Sequence, residues 1–269
     1  MRDIPMSASD IQFDFISEDA LLLLWPEQVC RHQHQGILCL QAQLENKLSH
    51  YITESLASFN SLLLSYRYQL LSAEQLRVLV EHVIQASCDQ ENSAQGAADN
   101  LVNSTVNNQA QPTPRVITIP AYYGEQAAWD LPYVMQATGL SQQAIIAKHS
   151  ELDYYAYALG FTPGFAYLAS IDSQLRLPRK SMPRKQMPAG AIAIAGEQTA
   201  IYPDASPGGW HIIGQCPIPL YQITDEGIES LINTGDTVRF QGISLAEFEQ
   251  LGGVIALESE STSEPTQHD

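Results

Sequence analysis

Hydrophobic and polar positions divide this chain into two stretches of different rhythm. Near the start, IQFDFI and ALLLLW flank the polar turn Ser17–Asp19, the pattern of a two-stranded hairpin. From Val29 to Leu48 the apolar residues Ile37, Leu40, Leu44 and Leu48 recur at helical spacing in a polar run. Cys30, His32 and His34 open that helix, but only Cys30 and His34 share a face, so a solvated helix surface is expected there rather than a metal site. Two β-prone runs follow, near Tyr51–Leu56 and Ser61–Tyr66, separated by Ser58–Asn60. Ser72 then caps a second helix with Leu76, Leu79, Val80 and Val83 on one face. The order ββαββα predicts an α+β domain over residues 1–86, an antiparallel sheet covered by two helices.

Residues 87–114 contain no aromatic and no basic residue and are crowded with Asn, Gln, Ala and Ser. Nothing there repays the entropy of folding, so the stretch is expected to be a flexible linker. The strand VITIP then opens a second domain, expected over residues 115–255. Two short helices follow around Trp129–Thr138 and Ser141–His149, with Gly139 as a stop and Ser141 as the next cap. DYYAYALGF reads as a strand, and AIAIAG, TAIYP, WHIIG, IPLY and TVRF continue as short strands between Gly/Pro turns. Such spacing favours a closed or nearly closed β barrel, which leaves no long exposed edge. SLAE at 244–247 is a capping box for a last turn of helix, and residues 256–269 are expected to form a disordered acidic tail.

Composition narrows the function. At 45% hydrophobic and 16% charged the chain is globular, and its net charge of −17 argues against nucleic-acid or anionic-membrane binding. Four cysteines without framework spacing suit a reducing compartment. No apolar run approaches a membrane span, so a cytoplasmic protein is expected. GxSxG, GxxxxGK[ST], HExxH and zinc-type Cys/His arrays are all missing, and no metal site is expected. Against this acidic background, Arg176, Arg179, Lys180, Arg184 and Lys185 gather within ten positions. They fall inside residues 160–221, which hold eight of the 15 prolines and seven of the 16 glycines. Stiff, tightly turned loops carrying positive charge make this the expected place for an anionic ligand.

GFTPGFAYL, PRKSMPRKQMPAG, GEQTAIYP and SPGGWHIIG together resemble the KipI/allophanate hydrolase subunit 1 family, most densely between about Val116 and Phe240. The resemblance implies an α+β N-terminal domain followed by a cyclophilin-like β barrel. It implies a subunit of an ATP-dependent 5-oxoprolinase, which hydrolyses the lactam 5-oxoproline to glutamate with ATP and Mg²⁺ at the level of the complex. Companions of the KipA/allophanate hydrolase subunit 2 type and of the LamB/YcsF type are implied, and the isolated chain is expected to be inactive. Two other activities in the family stay open: inhibition of a sensor histidine kinase, and a carboxyltransferase role in a urea-processing enzyme.

Arg179 and Arg184 match the family's paired Pro-Arg pattern and are the candidate catalytic residues. Each follows a proline that stiffens its backbone, and each guanidinium can take a carboxylate or phosphate bidentately. The alternative is that they pair with nearby acids to hold the loop or dock a partner. Gln198 and Thr199 offer an amide and a hydroxyl, although Glu197 and Ala200 beside them depart from the family pattern. Ser206, Gly208 and Gly209 suggest a donor-lined loop, with Trp210 either stacking on a planar ligand or plugging the barrel. Gly160, Pro163, Gly164 and Phe165 read as a tight turn. His149 completes the candidate ligand residues, as general base or structural histidine. The whole segment is expected to form half of a site.

Overall fold

The computed structural model describes residues 11–26, 29–95 (backbone only for 88–95), 115–225 and 227–256. The chain falls into two compact units, Met1–Pro114 and Arg115–Asp269. In the first, β1 (Gln12–Ser17), β2 (Ala20–Leu24), α1 (Arg31–Lys47), β3 (Ile52–Ser58), β4 (Ser61–Tyr66) and α2 (Ala73–Gln95) follow in order. The strands form one antiparallel sheet in the order β1-β2-β4-β3. Alternation decides its faces: Leu21, Leu23, Leu62 and Leu64 are fully buried and pack with Ile37, Leu44, Leu76 and Val80 of the helices. Ser72 caps α2 reciprocally, its N–H donating to Gln75 Oε1 at 2.7 Å while its Oγ accepts from Gln75 N at 3.3 Å.

Two expectations need correction in this unit. His34, expected on a solvated surface, is 0% exposed, because it extends the Ile37–Leu40–Leu44 stripe one turn toward the N-terminus. The stretch read as linker begins later than residue 87, since α2 continues to Gln95. Helix formers such as Ala, Gln and Glu carry it on without aromatic packing. Residues 96–114 and the acidic tail from 257 lie outside the described residues.

The second unit opens with β5 (Val116–Ala121), then α3 (Leu131–Thr138), α4 (Gln142–Ser150), β6 (Asp153–Leu159) and β7 (Ala166–Ala169). After a short 3-10 turn at Ser173–Leu175 come β8 (Arg184–Met187), β9 (Ala191–Ala195), β10 (Gln198–Ile201), β11 (Ser206–Gly208) and β12 (His211–Gln215). A hairpin of β13 (Tyr221–Thr224) and β14 (Gly227–Ser230), then β15 (Thr237–Gly242) and α5 (Leu245–Gln250), complete it. Seven strands form one sheet in the order β12-β9-β10-β7-β6-β15-β5, all antiparallel except the parallel pair β15–β5. The sheet curls until its two edges meet. Just past β5, Tyr122 exchanges backbone hydrogen bonds of 2.9 and 2.8 Å with Gln215 of β12. This is the nearly closed barrel that the strand spacing predicts, where the family resemblance implies a cyclophilin-like one.

The AIAIA run of β9 makes the wall two-sided. Ile192 and Ile194 point into a core shared with Leu168, Ile201, Ile213 and Phe240, and α3 and α4 add Leu131, Val134 and Ile145 to it. Ala191, Ala193 and Ala195 point outward, where Phe165, Met187, Tyr202 and Trp210 pack on them as a second cluster. Small residues outside let a ribbon, β8 paired with β11, lie close over the wall. Strands β7, β8, β11 and β14 were not expected, and IPLY is a strand only from Tyr221 onward, because Pro217 and Pro219 offer no N–H to a ladder. Among the described residues no helix is long and apolar enough to cross a membrane.

Two left-handed glycines test how tightly the barrel is drawn together. Gly139, after α3, has φ +72° and open space where a Cβ would sit, whereas at Gly190, with φ +78°, a Cβ would sit 2.3 Å from the carbonyl oxygen of Cys216. Gly139→Ala should therefore cost only the conformational penalty, about 1–2 kcal/mol. Gly190→Ala should cost clearly more, beyond about 3 kcal/mol, because backbone must move. Urea denaturation of the two variants checks this, and equal losses would contradict it.

Candidate functional site

The site is built around Asp130, a residue that drew no attention as sequence. It stands at the N-cap of α3, yet its side chain makes no cap bond to that helix. Its N–H instead donates to Ile212 O at 2.9 Å, and its carboxylate accepts from Ile212 N at 2.8 Å, which ties the start of α3 to the edge strand β12. The same carboxylate, 4% exposed, accepts Arg184 Nη1 at 2.7 Å, Arg184 Nη2 at 3.0 Å and Lys180 Nζ at 2.6 Å. Four donors thus occupy the lone-pair positions of its two oxygens. Burial alone would raise the Asp130 carboxyl; the bonds from Arg184, Lys180 and Ile212 outweigh it and hold the group below the ordinary carboxylate range.

The two cations come from the segment read as stiff loop. Arg184 begins β8 and also lies over the Trp129 ring, 5.5 Å from its centroid. Lys180 N donates to Gly209 O at 2.7 Å, and His211 Nε2 lies 2.8 Å from Pro178 O. A carbonyl oxygen only accepts, so that ring nitrogen carries the proton. Arg179 therefore sits between two residues that are each tied to the 209–211 segment. Its own side chain is exposed and lies over Trp210, 5.8 Å from the ring centroid. Among the described residues neither Arg179 nor the exposed Lys185 has a carboxylate partner, so positive charge stays available on this segment.

The other candidates divide. Ser206, Gly208, Gly209 and Trp210 join Arg179 and Arg184 around the β8–β11 ribbon. Gly208 has to be glycine, since a Cβ would meet the Tyr202 hydroxyl at 2.4 Å and Met187 Cγ at 2.7 Å. Trp210 is 4% exposed and belongs to the outer cluster, so it is packed rather than open for stacking. Gln198 is half-buried, and strand alternation puts it on the outer face with Ala200. Thr199 points the other way, into the barrel, where it meets His149.

His149 is fully buried, and both ring nitrogens are engaged, Nδ1 with the Tyr123 hydroxyl at 2.8 Å and Nε2 with Thr199 Oγ1 at 2.9 Å. Thr199 spends its own proton on Ala193 O at 3.0 Å, so Nε2–H donates to Thr199 and the Tyr123 hydroxyl donates to Nδ1. The ring is thereby neutral and fully satisfied, and desolvation pushes its pKa down to about 3. That is a structural histidine inside the barrel, away from any ligand at the rim. Asp130 had one legible signal, a lone acid inside the apolar run AAWDLPYV, which calls for a buried partner.

Comparison with known proteins gives this arrangement relatives. The family described as the carboxyltransferase domain, subdomain C and D, matches residues 11–231. Over 131 residues, 48% of the chain, it is 44% identical to the B-type subunit of 5-oxoprolinase from Escherichia coli O157:H7. Over 134 residues, 50% of the chain, it is 40% identical to the B-type subunit of 5-oxoprolinase from Bacillus subtilis. The chain spans 59% and 55% of these two relatives, little more than half their length. Its fold matches the crystal structure of TTHA0988 with a TM-score of 0.67 at 32% identity, covering 85% of this chain and 40% of that one.

Two consequences are measurable. Asp130→Asn strands Arg184, 16% exposed, and Lys180, 26% exposed, beside an uncharged amide. Breaking one side of a buried pair costs about 3–5 kcal/mol, whereas Asp130→Leu combined with Arg184→Met should recover much of that loss. Urea denaturation of the single and double variants decides between them. His149 has a folded-state pKa below its ordinary value of 6.5, so protons bind the unfolded chain preferentially and stability falls as pH drops from about 6.5 toward 3. Between pH 7 and pH 5 the loss is about 2 kcal/mol, and His149→Gln should abolish it. Asp130, shifted downward, adds its own loss only as pH falls below its ordinary value, so the loss between pH 7 and pH 5 belongs to His149 and the two windows meet only at the acid end.

Proposed function

The chain belongs to the family of the carboxyltransferase domain, subdomains C and D, and from that premise we propose that it is the B-type subunit of an ATP-dependent 5-oxoprolinase. In this reading the complex opens the lactam of 5-oxoproline to glutamate. The observation that carries it is the rim cation left over by the ion-pair cluster. Asp130 is shared by Lys180 and Arg184, and Arg179 remains available for an anion. 5-Oxoproline carries a carboxylate at neutral pH, and lactam opening develops negative charge on the amide carbonyl oxygen, which a fixed cation stabilises. Identity of 40–44% to 5-oxoprolinase subunits of this type supports the same assignment.

The chain works, in this reading, with companions of the KipA/allophanate hydrolase subunit 2 type and the LamB/YcsF type, in the cytoplasm, and is inactive alone. ATP and Mg²⁺ belong to the complex. Among the described residues no three His, Cys, Asp or Glu side chains gather where they could hold a metal ion. This chain's part is to fix an anion at the rim. The family's description favours one second reading, a carboxyltransferase component, which would depend on biotin.

Co-expression of the chain with the two companions should yield glutamate and ADP from 5-oxoproline without biotin. Arg179→Ala should lower kcat/KM by about tenfold or more, the scale of a lost charge-assisted contact. Lack of turnover by the complete assembly, or turnover only with biotin, would overturn the reading.

A further inference from the structure

Three features of the second unit are linked through the ring network under Arg179. The first is strain: Phe161 adopts φ +74°, a left-handed conformation that a bulky residue avoids, and its ring is nonetheless 59% exposed. It projects from the β6–β7 turn, which two backbone bonds close, Gly160 N to Phe165 O and Phe165 N to Thr162 O, both 3.1 Å. The second is a set of orphaned polar atoms. Among the described residues of this unit, the buried side-chain atoms without a partner are Thr162 Oγ1, Ser206 Oγ and His211 Nδ1. They lie on the Phe161 turn, on the β8–β11 ribbon and at the strand end bonded to Pro178, the neighbour of Arg179. The third is charge on an aromatic base, Arg179 over Trp210.

One aromatic network joins them. The Phe161 ring contacts Phe165 and Tyr202, at 5.3 and 6.4 Å between centroids, and Phe165 contacts Trp210 at 6.1 Å. Arg179 is close enough to act on the Tyr202 hydroxyl electrostatically. Phe161 and Arg179 thus stand on one base of packed rings, the first offering an exposed aromatic face and the second an uncompensated guanidinium.

We propose that Arg179 and Phe161 form the two poles of a binding site for a small acid with a flat ring, the guanidinium taking the carboxylate and the Phe161 face covering the ring. The reading of the chain as part of a 5-oxoprolinase supplies the identity of that acid, 5-oxoproline, and the site deepens that reading. A bidentate ion pair supplies orientation, and an aromatic held in a strained conformation is positioned before the ligand arrives. The pair distinguishes ligands by charge first and by ring second.

The test is calorimetric and NMR titration of the full chain and of the reconstituted complex with 5-oxoproline, L-proline and 2-pyrrolidinone. Saturable binding of 5-oxoproline in the range of about 1 mM or tighter is expected, with shifts at the Phe161 and Trp210 ring signals. The carboxylate-free lactam should bind at least about tenfold more weakly. Arg179→Ala should lose about tenfold or more, Arg179→Lys less, and Phe161→Ala about three- to tenfold, with Phe161→Tyr retaining binding. Both side chains are exposed, so circular dichroism should show the variants folded. Equal binding of the lactam and the acid, unaltered binding by Arg179→Ala, or saturation in neither preparation would overturn the site. Binding without turnover by the complex leaves the site standing and overturns the reaction. Turnover with unchanged KM in Arg179→Ala does the reverse.

Discussion

A single buried carboxylate sets the constraints of the second unit. The two edges of the barrel meet at the backbone pair of Tyr122 with Gln215, just past β5. Asp130 ties the start of α3 to the edge strand β12, because its N–H and its carboxylate both bind the backbone of Ile212. Placing a carboxylate there removes it from water, which costs several kcal/mol unless cations and donors surround it. Arg184 and Lys180 meet that demand, and in doing so they pin the 178–184 segment to the rim. Seam, loop and rim charge are therefore consequences of one ionisation state. A well-packed apolar pair could stabilise the seam equally well. The ionic arrangement adds to the Lys180–Gly209 and His211–Pro178 bonds in fixing where the loop runs.

The wall shows the same economy from the other side. Isoleucines inward and alanines outward along β9 give one strand two packing faces. The inner face accommodates a neutral histidine whose partners, Tyr123 and Thr199, are both satisfied, so that polar network rigidifies the core without carrying charge. The outer face accepts aromatic rings directly on alanines, and Trp210 becomes a firm base for the guanidinium above it. Acid–base capability is thus kept out of the barrel and cationic capability is placed on its rim.

Much of this was legible where the determining contacts are local. Helix stripes such as Ile37–Leu40–Leu44, the SLAE capping box and Gly139 as a stop depend on neighbours within four residues, and they stand as expected. Strands β8 and β11 were missed because RKQM and SPG have little strand propensity and pair only with each other. Asp130 occupies the N-cap of α3, but its role comes from residues 50 and 54 positions away, which no window can see. Thr199 is a different case. It and Gln198 are consecutive on a strand, so period two already forbids both from facing one ligand. His34 likewise continued a stripe that was otherwise read correctly.

The net charge of −17 sharpens what the rim has to do. At long range such a chain repels small anions, although physiological salt screens that field within about 8 Å. Steering cannot bring a carboxylate to this surface, so capture depends on contacts made within a few ångströms. Arg176 is paired with Glu197, while Arg184 and Lys180 are occupied by Asp130. An exposed guanidinium in water gains little from a single carboxylate, for the same reason that surface ion pairs are weak. Its grip strengthens only where neighbouring surface excludes water and holds the geometry. On this chain Trp210 lies below it and Phe161 belongs to the same ring network, but Arg179 and Phe161 themselves remain exposed. The covering surface has to come from elsewhere, and that makes the rim half of a site whose strength depends on what closes over it.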